Sequence, residues 1–119
     1  MATQESRLQV TTEGDIIRVQ FLDRNILEEV SIQQIGHEIS RLIEQSPNPK
    51  LLISFKNVQH LSSSALGTLI TVNSKSRQKG GQLRLAAIDP QIYEVFVITK
   101  LNQLFQIYET VDEAIASFK

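Results

Sequence analysis

The sequence predicts one α/β domain: a mixed β-sheet opened by a β-hairpin, with about four α-helices, in the order β-β-α-β-α-β-α-β-α. Three observations carry this. Residues 8–22 alternate apolar and polar side chains on both sides of Glu13-Gly14-Asp15, a tight-turn signal. Leu51-Leu52-Ile53-Ser54-Phe55 is a short, nearly all-apolar run, which suits a strand covered on both faces. The remaining apolar residues mostly recur at helical spacing behind polar starts that carry capping signals. Strand–helix alternation after a hairpin implies right-handed crossovers, with helices on one face of the sheet or both.

Each element follows from its residues. Residues 1–6 are polar and expected to be a flexible N-terminus, leaving 7–119 as the domain. Leu8 and Val10 form the apolar side of the first strand, and Ile17, Val19 and Phe21 that of the second. Asp23 to Glu29 reads as irregular or briefly extended. Arg24 and the two glutamates are available to a partner there, but a solvated loop is the simpler reading. Ser31 with Gln34 forms a capping box, and Ile32, Ile35, Ile39, Leu42 and Ile43 form one stripe. Pro47 and Pro49 stop that helix.

After the apolar strand, a second helix carries Leu66, Leu69, Ile70 and Val72 inward. Lys75, Arg77 and Lys79 complement its dipole, and Gly80-Gly81 ends it. Leu83, Leu85 and Ala87 alternate in the next strand. Asp89-Pro90 starts a helix with a carboxylate cap and a first-position proline, and Ile92, Val95 and Phe96 supply its apolar side. Leu104 to Tyr108 reads as the last strand. Thr110 and Glu113 form a capping box for a closing helix that buries Val111, Ala114, Ile115 and Phe118.

Composition narrows the function. The chain has 119 residues, 41% hydrophobic, with a formal net charge of −1 and no cysteine. No basic field draws nucleic acid. Disulfides, thiolate metal sites and cysteine nucleophiles are excluded. No apolar run is long enough to span a bilayer, and the N-terminus lacks a signal-peptide pattern. A soluble cytoplasmic domain without cofactor, metal or membrane contact is expected.

Enzyme motifs are missing. No phosphate-binding loop, dinucleotide fingerprint or hydrolase elbow surrounds any serine. His37 and His60 have no ligand spacing. A hydrolase using Ser64 and His60 lacks an identifiable third group. The chain is therefore read as no enzyme.

The feature to explain is His60-Leu61-Ser62-Ser63-Ser64-Ala65-Leu66-Gly67, three hydroxyls at the mouth of a helix. One serine is accounted for as an N-cap, worth about 1 kcal/mol. The others stand beside unpaired N–H groups at the positive end of the helix dipole. A phosphate there brings about −1.5 to −2 charges. The helix end tolerates it; a partner docked on the same spot does not, unless it offers cations.

In this order of elements, the segment Ser62-Ser63-Ser64-Ala65-Leu66-Gly67 resembles the Asp-Ser-Ser/Thr-Gly-Leu-Gly signature of STAS domains, of the bacterial anti-sigma factor antagonist type. The closing segment TKLNQLFQIYETVDEAIASF and the Lys79-Gly80-Gly81 turn before Leu83-Arg84-Leu85 are similar to the same family. The resemblance implies a STAS-like fold and partner switching. An unmodified antagonist binds an anti-sigma factor that is also an ATP-dependent serine kinase. Phosphorylation of a serine at the helix start breaks the complex, and a serine phosphatase restores it. By motif position Ser64 is the acceptor, with Ser63 as the neighbouring candidate. Val58, Gln59, His60, Leu61, Ser62, Ala65 and Leu66 are the expected docking residues. Ser62 stands where the family has aspartate, which removes a charge able to orient the hydroxyl or the kinase. Ala65 stands where it has glycine, which adds a methyl where a partner backbone would approach. The alternative is a non-switching STAS scaffold in a signalling, transport or lipid-related assembly. The edge strand of the hairpin leaves a homodimer open.

Overall fold

A computed structural model describes residues 8–118; the expected flexible segment 1–6 lies outside the described residues. The chain runs β1 (Leu8–Glu13), β2 (Ile16–Phe21), β3 (Asn25–Ile26), α1 (Glu29–Glu44), β4 (Lys50–Ser54), β5 (His60–Leu61), α2 (Ser63–Gln78), β6 (Gln82–Ala86), α3 (Pro90–Ile98), a 3-10 turn at Leu101–Gln103, β7 (Gln106–Tyr108) and α4 (Val111–Ala116). The main sheet has the order β1-β2-β4-β6-β7. β1 and β2 are antiparallel and every other neighbour pair is parallel. Its strands and the four helices come in the predicted order. β3 and β5 are two-residue additions that pair with each other in parallel, apart from the main sheet.

The hairpin turns at Gly14, whose φ of 62° suits a residue without Cβ. Asp15 in that turn accepts a 2.9 Å hydrogen bond from Lys50 Nζ of β4. That bond, and the lysine charge with it, hold the carboxyl below its ordinary range.

Alternation along β4 divides the interior into two layers. Leu51 and Ile53, with Phe55 just beyond, join Val19, Phe21, Leu83 and Leu85 beneath α1, α2 and α3. A row of rings crosses this layer: Phe21–Phe55 at 5.1 Å, Phe55–Phe96 at 6.5 Å and Phe96–Phe105 at 5.9 Å between centroids. Leu52, Ile16 and Ala86 face the other way, under Ala114 and Phe118 of the α4 segment. The Arg84 guanidinium lies 4.8 Å from the Phe118 ring centroid. Helices therefore cover both faces, three against one.

Four local expectations are corrected. α1 begins before Ser31: Glu28 takes the N-cap position without a side-chain bond, and Ser31 is buried on the inward stripe with Ile32 and Ile35. The earlier start also brings Glu29 into the first turn, where a carboxylate complements the dipole. Ile70 is 40% exposed, because the inward line of α2 is Ala65, Leu66, Leu69, Val72 and Ser76, and Ile70 is turned away from it. Val95 of α3 is likewise exposed while Ile92 and Phe96 are buried. Leu104-Phe105 is not strand. Lys100 takes a left-handed φ of 64°, and Phe105 N–H donates to Leu101 C=O, which tucks the Phe105 ring into the core before β7 begins.

Candidate functional site

The three serines sit where β5 hands over to α2. Ser62 is the N-cap: its extended backbone (φ −82°, ψ 165°) sets the side chain to accept from Ala65 N–H at 3.2 Å. Its carbonyl accepts from Leu66 N–H, and its own N–H donates to Ile26 C=O. Ser62 is thus fixed in place by structure, and it supplies the cap that an aspartate would supply, without the charge.

Ser63 and Ser64 occupy the first turn of α2, and both are exposed. Among the described residues neither backbone N–H has an acceptor and neither hydroxyl a partner. No acidic residue lies in this turn, and the cations Lys75 and Arg77 are at the far end of the helix. Two open N–H donors, two free hydroxyls and the positive end of a sixteen-residue helix therefore coincide.

One turn further, Gly67 is exposed with no atom near where a Cβ would stand. At three and four residues from Ser64 and Ser63 it shares their face. The helix surface beside the hydroxyls is therefore backbone, bare and low. Ala65 does not intrude on it. It is 5% exposed, and its methyl lies in a small apolar recess with Phe21, Ile26, Ile32, Leu61 and Leu69. The expectation of a methyl beneath a partner's backbone is corrected on that ground.

The docking loop is corrected in the same way. Val58, Ala65 and Leu66 are buried at 2%, 5% and 7%, so their side chains belong to the core. Val58 is drawn in by a turn in which its N–H donates to Phe55 C=O, after Asn57 at a φ of 73°. Gln59 and His60 are exposed, and Leu61 and Ser62 half-buried. Lys56 and Asn57, exposed in the same loop, join them on the surface.

Residues 23–29 are not a detached loop. Gln59 and His60 N–H both donate to Arg24 C=O, and Asn25 is paired with His60 across β3–β5. The His60 ring shares a 2.6 Å hydrogen bond from Nδ1 to Asn25 Oδ1. This brings exposed Arg24, Asn25 and Leu27 alongside the serine loop. Two-residue strands are too short to leave a pattern in sequence; the only signal is Ile26-Leu27, two apolar residues in a polar run, of which Ile26 is 2% exposed. No hydrogen bond joins His60 to Ser63 or Ser64 among the described residues, and no three His, Asp or Glu side chains gather there as metal ligands.

The surface continues past the loop. Gln59 and His60 border a shallow depression with Asp89, Pro90 and Gln91 at the start of α3. Pro90 is also a wall of a cleft of ≈ 680 Å³ lined by Ile88, Tyr93, Ile107, Tyr108 and Glu109. Serine tip, depression and cleft all lie at the carboxyl ends of the parallel strands, where open α/β sheets present their sites.

Comparison with known proteins bears on this arrangement. A family model described as the STAS domain matches residues 8–114. The anti-sigma F factor antagonist of Paenibacillus polymyxa is 22% identical over 83 residues, covering 70% of this chain and 71% of the relative. An anti-sigma-factor antagonist (STAS) domain protein from Planctomyces limnophilus superposes with a TM-score of 0.84 at 22% identity, over 92% of this chain and 96% of that one. The Bacillus cell fate determinant SpoIIAA in its phosphorylated form superposes with a TM-score of 0.71 at 18% identity, over 94% and 99%.

Proposed function

This chain belongs to the STAS domain family, and from that premise we propose that it is an anti-sigma factor antagonist switched by phosphorylation at Ser64, with Ser63 as the neighbouring acceptor. The unmodified protein binds an anti-sigma factor through the first turn of α2, the Gly67 surface and the exposed residues of the 56–62 loop. The partner is an ATP-dependent serine kinase. It moves the γ-phosphoryl of ATP to the serine Oγ, which gives up its proton, and ADP leaves. A serine phosphatase reverses the change. Curated relatives named as anti-sigma factor antagonists support this partner class.

The observation that carries the reading is the exposure of both hydroxyls beside unpaired N–H groups at the head of a helix whose cap is already supplied by Ser62. A phosphate gains from those N–H groups and from the dipole, so the domain keeps its fold. A partner seated on the bare surface around Gly67 meets a dianion where it had a neutral hydroxyl. Burying that charge unpaired costs several kcal/mol, enough to dissolve an ordinary complex. The loss of aspartate at position 62 leaves the switch with only hydroxyls and backbone to present.

The test is phosphopeptide mapping after incubation with the cognate kinase and ATP. Label is expected within residues 62–68, moved or abolished by Ser64→Ala. Ser64→Asp is expected to weaken the complex at least about tenfold with a melting temperature no lower than that of the wild type. Absence of label in that peptide, with a kinase proven active, removes the switch. Equal binding by the double alanine and double aspartate variants of Ser63 and Ser64 assigns the chain to the non-switching scaffolds.

A further inference from the structure

The two edges of the main sheet differ. β7 is three residues long, too short to serve as a template. β1 is six residues long, and five of them are exposed. Its register with β2 runs unbroken from Leu8↔Phe21 to Glu13↔Ile16, so no bulge turns the edge aside. The strand LQVTTE contains no lysine and no proline, the residues that usually guard an edge.

The turn fixes which groups face outward. A two-residue turn at Gly14-Asp15 makes Glu13 and Ile16 the hydrogen-bonded closing pair. Alternation then makes Thr11↔Arg18 and Gln9↔Gln20 bonded pairs, and directs the N–H and C=O of Val10 and Thr12 away from β2.

We propose that β1 is a homodimer interface, in which β1 of a second copy of this chain pairs with it antiparallel about a two-fold axis perpendicular to the sheet. Thr11 then faces Thr11 of the partner. Val10 faces the partner's Thr12, and each exchanges both its backbone bonds. The occupant is a second copy because the strand is self-complementary. Its centre is uncharged and β-branched, and its one charged side chain, Glu13, is already paired at 3.2 Å with Arg18 of its own copy. Glu13 meets Gln9 across the axis, so no like charges oppose. A net charge of −1 per chain adds little repulsion. Val10, 41% exposed in the single chain, is covered by the mate. β2 is parallel to β4, so the axis sends the two α2 tips to opposite ends of the joined sheet. Both serine sites stay open.

Sedimentation equilibrium of the full chain, with Val10→Lys and Thr11→Cys variants, tests this. The wild type is expected to be dimeric. Val10→Lys should raise the dissociation constant at least about tenfold with an unchanged circular dichroism spectrum, and weaken the dependence of the melting temperature on protein concentration. Thr11→Cys, the sole thiol in the chain, should oxidise to a covalent dimer, because the pair across the axis is a close, non-hydrogen-bonded one. A wild type that stays monomeric at every attainable concentration overturns the proposal. So does a folded Val10→Lys variant that dimerises as well as the wild type, or a Thr11→Cys variant that fails to cross-link under oxidation.

Discussion

The two ends of α2 share one helix and one macrodipole, yet they are built for different purposes. At the carboxyl end the backbone is closed off by hydrogen bonds. Gly80 takes a φ of 75°, its N–H donates to Arg77 C=O, and Gly81 N–H donates to Ser76 C=O at 2.8 Å. Lys75 and Arg77 answer the negative pole, and Lys75 Nζ also donates to Ser40 of α1. At the amino end only Ser62 is so engaged. Among the described residues the N–H groups and hydroxyls of Ser63 and Ser64 have no partners, and the first turn holds no acidic residue to answer the positive pole. One end closes the fold; the other leaves its capacity for an anion unused. A site of this kind is recognised by what is left unsatisfied in the open, on a helix whose other end is closed by backbone hydrogen bonds.

If the contrast is right, the largest effect on stability belongs to the closed end. A Cβ on Gly81 would overlap the carbonyl oxygen and ring of Pro49, where neither can yield easily. Gly81→Ala is expected to cost about 3 kcal/mol in urea unfolding, and a cost near zero would show that end to be less tightly closed than described. Ser62→Ala should cost about 1 kcal/mol, because Ala65 N–H loses its acceptor. The change in Ser62→Asp should be far smaller, since a carboxylate caps as well. The change of opposite sign is Gly67→Ala. Alanine is the better helix residue by about 0.8 kcal/mol, and nothing crowds its methyl, so the melting temperature should rise. Binding of the anti-sigma factor should nevertheless fall. A rise in both stability and affinity would mean that the bare surface beside the serines is not where the partner sits.

Legibility in sequence followed how local each signal was. The Asp89 and Thr110 caps are realised as read: Asp89 Oδ1 accepts from Gln91 N–H at 2.9 Å, and Thr110 Oγ1 from Glu113 N–H at 3.1 Å with the reciprocal Glu113 bond. Ser31 carried the same kind of signature and failed, because burying a stripe that includes Ser31 and Ile32 favoured starting the helix earlier. The position of the serines at a helix mouth was readable; the direction of their neighbours was not. Whether Val58 points in or out depends on the turn at Asn57, and whether Ala65 does depends on the rotation of α2 over Phe21 and Ile32. Both are settled by packing between distant segments. The β3–β5 pair, which adds Arg24, Asn25 and Leu27 to the surface, joins residues 35 positions apart and leaves no periodicity to find.

The cleft walled by Tyr93 and Tyr108 has an optical consequence. The chain holds no tryptophan, and these two are its only tyrosines. All of its tyrosine emission therefore originates on the two sides of one cleft, which shares Pro90 with the depression reached by His60. The native protein carries its own reporter at the end of the sheet where the serines lie, and a tryptophan-free partner settling there can be followed in real time without attaching a dye.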